Sequence, residues 1–134
     1  MKAVLDNNVL VSGNFWNGPP SEILNAWQKR RFDLTVSPPI LEEYRRVLAE
    51  MTKKHGIPAV RPVLEIIELR AEMVEPALLA KPICSDLDDD KFVEAAVAAS
   101  ADYAVSGDAV LLRLKSYRGV EIVRPARFLE LISL

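Results

Sequence analysis

The sequence predicts an α/β fold in which helices cover both faces of a parallel β-sheet. Short apolar runs alternate along the chain with longer stretches whose apolar residues recur at helical spacing. Two of the short runs, residues 3–5 and 103–105, end directly at polar segments that contain an aspartate. Because parallel sheets bind ligands outside the carboxyl ends of their strands, these two endings indicate where a site would lie.

The first third of the chain predicts two strands, each followed by a polar loop and an amphipathic helix. Ser21 and Ser37 are suitable N-caps, and the prolines after Ser37 are tolerated in a first helical turn. The predicted elements are, in order, a strand at 3–5 that stops at a polar loop, a helix from Ser21 to 29–31, a strand at 34–36 and a helix from 38 that ends at Gly56.

The remaining elements repeat this alternation and bring the predicted strands to five. They are a helix at 63–69, a strand within 73–75, a helix that starts at Asp88 or Asp89, a strand at 103–105, a short helix at 110–114, a strand at 120–123 and a helix from Pro125. No internal repeat, low-complexity tract or linker interrupts them, so residues 1–134 are interpreted as a single domain.

Composition excludes several classes of protein. With one cysteine, Cys84, and one histidine, His55, the chain has no disulfide framework, no multi-cysteine zinc site and no histidine-rich metal site. No apolar run approaches the ~20 residues of a membrane span, and Asp6 comes too early for a signal peptide. We therefore expect a cytoplasmic protein without a membrane partner.

The two aspartates that follow strands, Asp6 and Asp108, allow two interpretations. Each could simply cap the turn that follows it, because aspartate is common in turns. Both nevertheless belong to the same edge of the predicted sheet. Two such endings at one edge favour a shared site.

Helical geometry distinguishes two adjacent glutamates in the helix that follows Ser37. Glu42 points away from the apolar stripe, so we expect it to be solvated, whereas Glu43 lies at the edge of the buried face. A charge in that position needs a partner or a cleft. A salt bridge to an arginine is one interpretation and a catalytic site is the other.

Four aspartates are concentrated in residues 86–90. Carboxylates favour helix N-termini, which accounts for one or two of them. Asp89 shares a helical face with the apolar residues 92, 93 and 96, whereas Asp90 lies off that face. The member of this run that reaches an interior site should therefore be Asp89.

Carboxylates gathered at one edge would repel one another and raise one another's pKa unless a cation joined them. The candidates are Asp6, Glu43, Asp89 and Asp108. Oxygen ligands without histidine or thiolate favour Mg²⁺ or Mn²⁺ over Zn²⁺. The implied chemistry is metal-assisted hydrolysis of a phosphodiester.

At these positions the sequence resembles the PIN-domain ribonuclease family, in particular its VapC-like toxins of toxin–antitoxin systems. Four segments in this order carry the resemblance: 4–12 (VLDNNVLVS), 37–48 (SPPILEEYRRVL), 86–96 (DLDDDKFVEAA) and 101–108 (ADYAVSGD). The resemblance implies a three-layer α/β/α fold with a mainly parallel, about five-stranded sheet. It also implies Mg²⁺- or Mn²⁺-dependent endoribonuclease activity on single-stranded RNA.

The resemblance assigns roles to individual residues and to partners. The four acids Asp6, Glu43, Asp89 and Asp108 would be the catalytic and metal-binding residues, with Asn8 and Ser106 as supporting polar groups. The implied partners are RNA, a cognate antitoxin protein and a second copy of the chain in a homodimer.

One departure from the family pattern favours an alternative function. Val110 stands where the family often has a further aspartate, which can help to hold a second metal or a water. The alternative is a catalytically weak PIN-like module that binds RNA or a protein. The net charge of −2 does not exclude either, because setting aside four acids of one metal pocket would leave the rest of the chain at +2.

Overall fold

The computed structural model describes residues 1–55, 63–77 and 90–133, and these contain six strands and seven helices. The strands are β1 (Lys2–Leu5), β2 (Asp33–Val36), β3 (Glu72–Met73), β4 (Tyr103–Val105), β5 (Ser116–Tyr117) and β6 (Val120–Val123). The helices are α1 (Asn7–Phe15), α2 (Pro19–Gln28), α3 (Pro38–His55), α4 (Val63–Arg70), α5 (Asp90–Ala98), α6 (Ala109–Leu114) and α7 (Pro125–Ile132).

All strands belong to one sheet in the order β3-β2-β1-β4-β6-β5. Every pairing is parallel except that of β5 with β6. The predicted three-layer α/β/α class with a mainly parallel sheet is confirmed, with six strands where about five were expected. From β1 the chain proceeds outward to β2 and β3, then returns to β4 on the other side of β1. The topological switch point therefore lies between β1 and β4.

The core lies around the central strands. Residues 3–5 of β1 are fully buried, and α5 packs against both β1 and β4. Helix α2 packs against α1 and α7, and α1 also contacts α3. Burial on both faces explains why these strands are continuous apolar runs instead of alternating ones. It also means that the strand ends are held rigidly.

The prediction of a polar loop after β1 is wrong, because α1 begins there at once. Asp6 is its N-cap, and Val9, Leu10 and Val11 on the helix are buried. β-Branched residues and a glycine have low helix propensity, so local preference gave no helical signal. Tertiary packing of α1 against α2 and α3 stabilises the helix instead.

The sixth strand, β5, was not predicted, since two residues give no recognisable period. It forms a hairpin with β6 through Arg118 and Gly119, whose φ angles are 48° and 87°. Positive φ at both central residues is typical of the tight turns that match the twist of a hairpin.

The other elements agree with prediction apart from their ends, and the predicted start of α5 at Asp88 or Asp89 lies outside the described residues. Helix α2 begins at Pro19, two residues before the expected Ser21, and β3 covers Glu72–Met73 where 73–75 was expected. Ser37 caps α3 as predicted, accepting a hydrogen bond from the Ile40 amide at 3.4 Å. Gly56 lies outside the described residues. In the described ranges, no helix combines the length and apolar character needed to cross a membrane.

Gly13 marks a close approach between α1 and α2. A Cβ atom at this position would lie 2.7 Å from both the Pro20 carbonyl oxygen and the Leu24 Cδ1 atom. Backbone oxygen cannot give way as a flexible side chain can, so the two helices would have to separate.

We expect Gly13→Ala to lower the free energy of unfolding by roughly 1–2 kcal/mol, because overpacking outweighs the gain in helix propensity. Urea denaturation measures this difference. Gly107→Ala is the matched control, since a Cβ there meets no atom within 4 Å. Equal stability of Gly13→Ala and the wild type would contradict the close helix approach.

Candidate active site

Two strand-to-helix junctions of the same design lie side by side at the switch point. Asp6 follows β1 and caps α1, and its Oδ1 accepts a hydrogen bond from the Asn8 amide at 3.2 Å. Asp108 follows β4 and caps α6, and its Oδ1 accepts from the Val110 amide at 2.8 Å. The capping interpretation is therefore correct for both aspartates, and it also places both carboxylates at one edge.

Ser106 joins the two junctions. Its hydroxyl donates a hydrogen bond to Asp6 Oδ2 and accepts one from the Asp108 amide at 2.9 Å. The Asp6 amide in turn donates to the Val105 carbonyl at 2.9 Å, which aligns the ends of β1 and β4. Ser106 is 1 % exposed, so this hydrogen-bond network is shielded from water. The network fixes the orientation of the Asp6 carboxylate.

Glu43 reaches the same region from α3. It is 9 % exposed, whereas the neighbouring Glu42 is exposed, as the helical pattern predicted for both. The next residue, Tyr44, is fully buried, and its hydroxyl donates a hydrogen bond to the Leu5 carbonyl at the end of β1. Tyr44 thus ties the first turns of α3 to the strand that carries Asp6.

Within the part of the chain that the structure describes, two cations contact the Glu43 carboxylate. Lys91 Nζ lies 2.9 Å from Glu43 Oε1, and an Arg46 guanidinium nitrogen lies 3.5 Å from the same oxygen. The salt-bridge interpretation of Glu43 is therefore correct, although the closer partner is a lysine. Arg45 pairs instead with Glu68. A cleft of about 750 Å³ opens beside these groups, lined by Pro39, Glu42, Glu43, Arg45, Arg46 and Lys91.

The electrostatics of Asp6 link the acidic residues. Burial raises the pKa of the Asp6 carboxyl above its ordinary value, and the charges of Asp108 and Glu43 raise it further. The hydrogen bonds from Ser106 and the Asn8 amide lower this pKa without reversing the shift. Burial and the charges of Asp6 and Glu43 likewise hold the pKa of the Tyr44 phenol well above 10. A concentration of negative charge therefore lies at the switch point.

The structure brings together Asp6, Glu43 and Asp108 among the four predicted acids. Asp89 lies outside the described residues, so its role stays a prediction. The expectation that Asp90 lies off the buried face is wrong, because this residue is 7 % exposed at the start of α5. The burial of Glu94, one turn further along, raises the pKa of its own carboxyl, and the charge of Asp90 raises that pKa further.

The supporting residues differ in how they reach the site. Ser106 acts through its hydroxyl, whereas Asn8 contacts Asp6 through its backbone amide and has an exposed side chain. Sequence reasoning missed Lys91 and Tyr44 as site residues. Tyr44 belonged to the predicted apolar stripe, and Lys91 carried one signal, a cation in the first turn of α5, where the helix dipole disfavours positive charge.

The donor atoms present fit a hard divalent cation. They are carboxylate oxygens, and the buried Asp6 carboxyl has a raised pKa that a nearby cation would lower. Within the described residues no three acidic, histidine or cysteine side chains are already grouped around one point. Mg²⁺ commonly uses one or two carboxylates and keeps several waters, so two carboxylates such as those of Asp6 and Asp108 would be enough to hold it.

The helix-covered, mainly parallel sheet, with Asp6 and Asp108 at its switch point, defines the protein as an α/β domain. A family model described as PIN domain matches residues 2–109, which include all four predicted acids. The chain therefore belongs to the PIN domain family. PIN domains are generally nucleases that use divalent metal ions, which supports a hydrolase. Comparison with curated proteins gives no match.

The raised pKa of Asp6 predicts a stability effect in metal-free protein. A carboxyl whose pKa is raised on folding binds its proton more tightly when folded, so stability falls as pH rises from its ordinary pKa of 3.8 through the raised value. We expect Asp6→Asn, in EDTA at pH 7, to be more stable than the wild type, with the advantage narrowing toward pH 4. Urea denaturation across this pH range measures it. A variant less stable than the wild type at pH 7 would show that the lost hydrogen bonding outweighs the relieved charge.

Proposed function

We propose that this protein is a Mg²⁺- or Mn²⁺-dependent endoribonuclease that hydrolyses phosphodiester bonds in single-stranded RNA. The observation that carries the proposal is the pair of carboxylates, Asp6 and Asp108, joined through Ser106 at the switch point of a PIN domain. Both are positioned by backbone and hydroxyl hydrogen bonds. Carboxylates positioned in this way suit a site that must hold an ion and a phosphate in a fixed relative position.

Each residue has a distinct task in this proposal. Asp6 and Asp108 hold the ion, and Asp89 is a further candidate ligand. Glu43 contacts the ion directly or through a water. The divalent ion supplies positive charge that favours deprotonation of water and stabilises the charge developing on the phosphate. Ser106 keeps Asp6 turned toward the ion, and its buried position limits competition from solvent.

The charges beside Glu43 support a nucleic-acid substrate. Three cations, Arg45, Arg46 and Lys91, line the cleft together with two glutamates, Glu42 and Glu43. The excess of positive charge attracts phosphates. The cleft is open and lined mostly by charged residues instead of being a closed apolar pocket, which suits an extended strand better than a small ligand.

The biological role is proposed from the resemblance to VapC-like toxins. In this proposal the protein is the cytoplasmic toxin of a toxin–antitoxin pair and acts as a homodimer. A cognate antitoxin would inhibit it by inserting a peptide at the acidic edge of the sheet. A basic side chain of such a peptide would meet Asp6 and Asp108, whose charges favour a cation.

The test is cleavage of a panel of single-stranded RNAs by purified full-length protein with Mg²⁺, Mn²⁺ or EDTA. We expect cleavage with either metal and none in EDTA. Matched single-stranded DNA and double-stranded RNA define the substrate class. Cleavage that persists in EDTA, or its absence with every RNA and metal, would contradict the proposal.

A catalytically weak RNA- or protein-binding module is the second candidate. Val110 favours it, because this position offers a backbone amide to Asp108 but no carboxylate for a second ion. RNA binding that needs no metal and leads to no cleavage would support this candidate. Binding is measured with the same RNA panel in EDTA.

A further inference from the structure

The ion pair between Lys91 and Glu43 lies beside the candidate centre. The two side chains are 21 % and 9 % exposed, and their charged atoms lie 2.9 Å apart. Glu43 is close enough to Asp6 to raise the pKa of its carboxyl. The Lys91 ammonium therefore lies at the margin of the acidic group, where its charge is only partly screened by water.

Arg46 is a weaker partner of the same carboxylate. Its side chain is 59 % exposed, it lies 3.5 Å from Glu43, and it also pairs with Glu50 at 3.2 Å. An exposed pair of this kind contributes little, because solvent and salt screen it. Among the described residues, Lys91 is thus the stronger of the cationic partners of Glu43.

The location of Lys91 is unfavourable for its own helix. It is the second residue of α5, where the partial positive charge of the helix N-terminus disfavours a cation. A residue that opposes local preference and is paired with a buried acid indicates a role beyond helix stability.

We propose that Lys91 supplies one of the positive charges of the catalytic centre, so that the centre takes one divalent ion instead of two. Asp6 and Asp108 hold that ion, while Lys91 neutralises Glu43 in place of a second ion and presents its ammonium to the substrate phosphate. This inference rests on the proposed nuclease function. It agrees with the loss of a carboxylate at Val110, since a second ion would lack that ligand.

The experiment measures Mn²⁺ binding to the full chain without RNA, by calorimetry and by the electron paramagnetic resonance signal of free Mn²⁺. We expect one equivalent in the wild type. Lys91→Met should bind Mn²⁺ about tenfold more tightly, because a neighbouring positive charge no longer opposes the ion. Lys91→Arg keeps the charge and should stay near the wild type.

Lys2→Met is the matched control. Lys2 also pairs with a glutamate, Glu72 at 3.2 Å, but it lies at the opposite end of β1 from Asp6. We expect its Mn²⁺ affinity to equal that of the wild type. At saturating Mn²⁺, Lys91→Met should cleave RNA at least about tenfold more slowly, while Lys91→Arg retains most of the rate.

The outcomes separate the two proposals. A wild type that neither binds Mn²⁺ nor cleaves RNA overturns the proposed function itself. A wild type that binds and cleaves, beside a Lys91→Met variant of unchanged affinity and rate, overturns the role of Lys91 alone. Melting in EDTA checks that the variants fold. Two bound equivalents in the wild type contradict the inference even if Lys91→Met does not fold.

Discussion

Asp6→Asn is expected to lower metal-dependent RNA cleavage by at least about 100-fold, a loss that only Asp108→Asn should match. A metal ion contributes several kcal/mol to stabilising a developing charge, and each 1.36 kcal/mol corresponds to about tenfold in rate. Asn retains an acceptor for the Asn8 amide, so the cap of α1 survives while the negative charge is lost. Asp108→Asn should have an effect of the same size. Initial rates at saturating Mn²⁺ measure both.

Asp102→Asn is the matched control for these variants. Asp102 precedes β4, whereas Asp108 follows it, and its carboxylate accepts a hydrogen bond from the Lys2 amide at 2.9 Å. The substitution removes one negative charge at the far end of the same strand, so its cleavage rate should equal that of the wild type. Near-wild-type cleavage by Asp6→Asn would exclude Asp6 as a metal ligand.

Ser106→Ala is expected to produce the second largest effect. It removes the hydroxyl that donates to Asp6 and accepts from the Asp108 amide, leaving the buried Asp6 carboxylate and the half-buried Asp108 amide without that partner. Loss of such contacts costs about 1–3 kcal/mol, with the higher value for a charged group. The freed Asp6 carboxylate should also bind metal less tightly, by about tenfold. Urea denaturation and Mn²⁺ titration measure the two effects.

Ser133→Ala serves as the control, because it removes a hydroxyl whose hydrogen bond goes to a backbone carbonyl and not to a buried carboxylate. Ser133 is exposed and donates to the Leu129 carbonyl at 2.7 Å, so we expect a change within about 0.5 kcal/mol. If Ser106→Ala were as mild as Ser133→Ala, the hydroxyl would not orient Asp6.

The sequence was enough to predict that Asp6 and Asp108 lie at one sheet edge with the buried Glu43 near Asp6. This placement follows from two patterns, the apolar strand runs and the helical period. Parallel strands buried on both faces produce the apolar runs that end at Asp6 and Asp108. The helical period alone distinguished buried Glu43 from exposed Glu42. In a parallel sheet with helices on both faces, the strand order determines which edge of the sheet carries the site.

The remaining features depend on contacts that periodicity does not encode. Helix α1 is stabilised by packing over Gly13 in spite of its poor propensity. The Lys91–Glu43 pair joins residues 48 positions apart, and the Ser106–Asp6 bond joins residues 100 apart. The burial of Asp90 was not predicted, because the apolar residues of α5 show which face of the helix is buried but not how far the buried surface extends around the helix.

The most direct test of the central claim, a divalent-metal centre at the switch point, is a Mn²⁺-soaked crystal measured for anomalous scattering. The proposed centre predicts one strong peak within coordination distance of the Asp6 and Asp108 carboxylates, and no peak there in crystals of Asp6→Asn. A second equally strong peak at Glu43 would contradict the role of Lys91 alone. Absence of any peak beside Asp6 and Asp108 at saturating Mn²⁺ would contradict the metal centre.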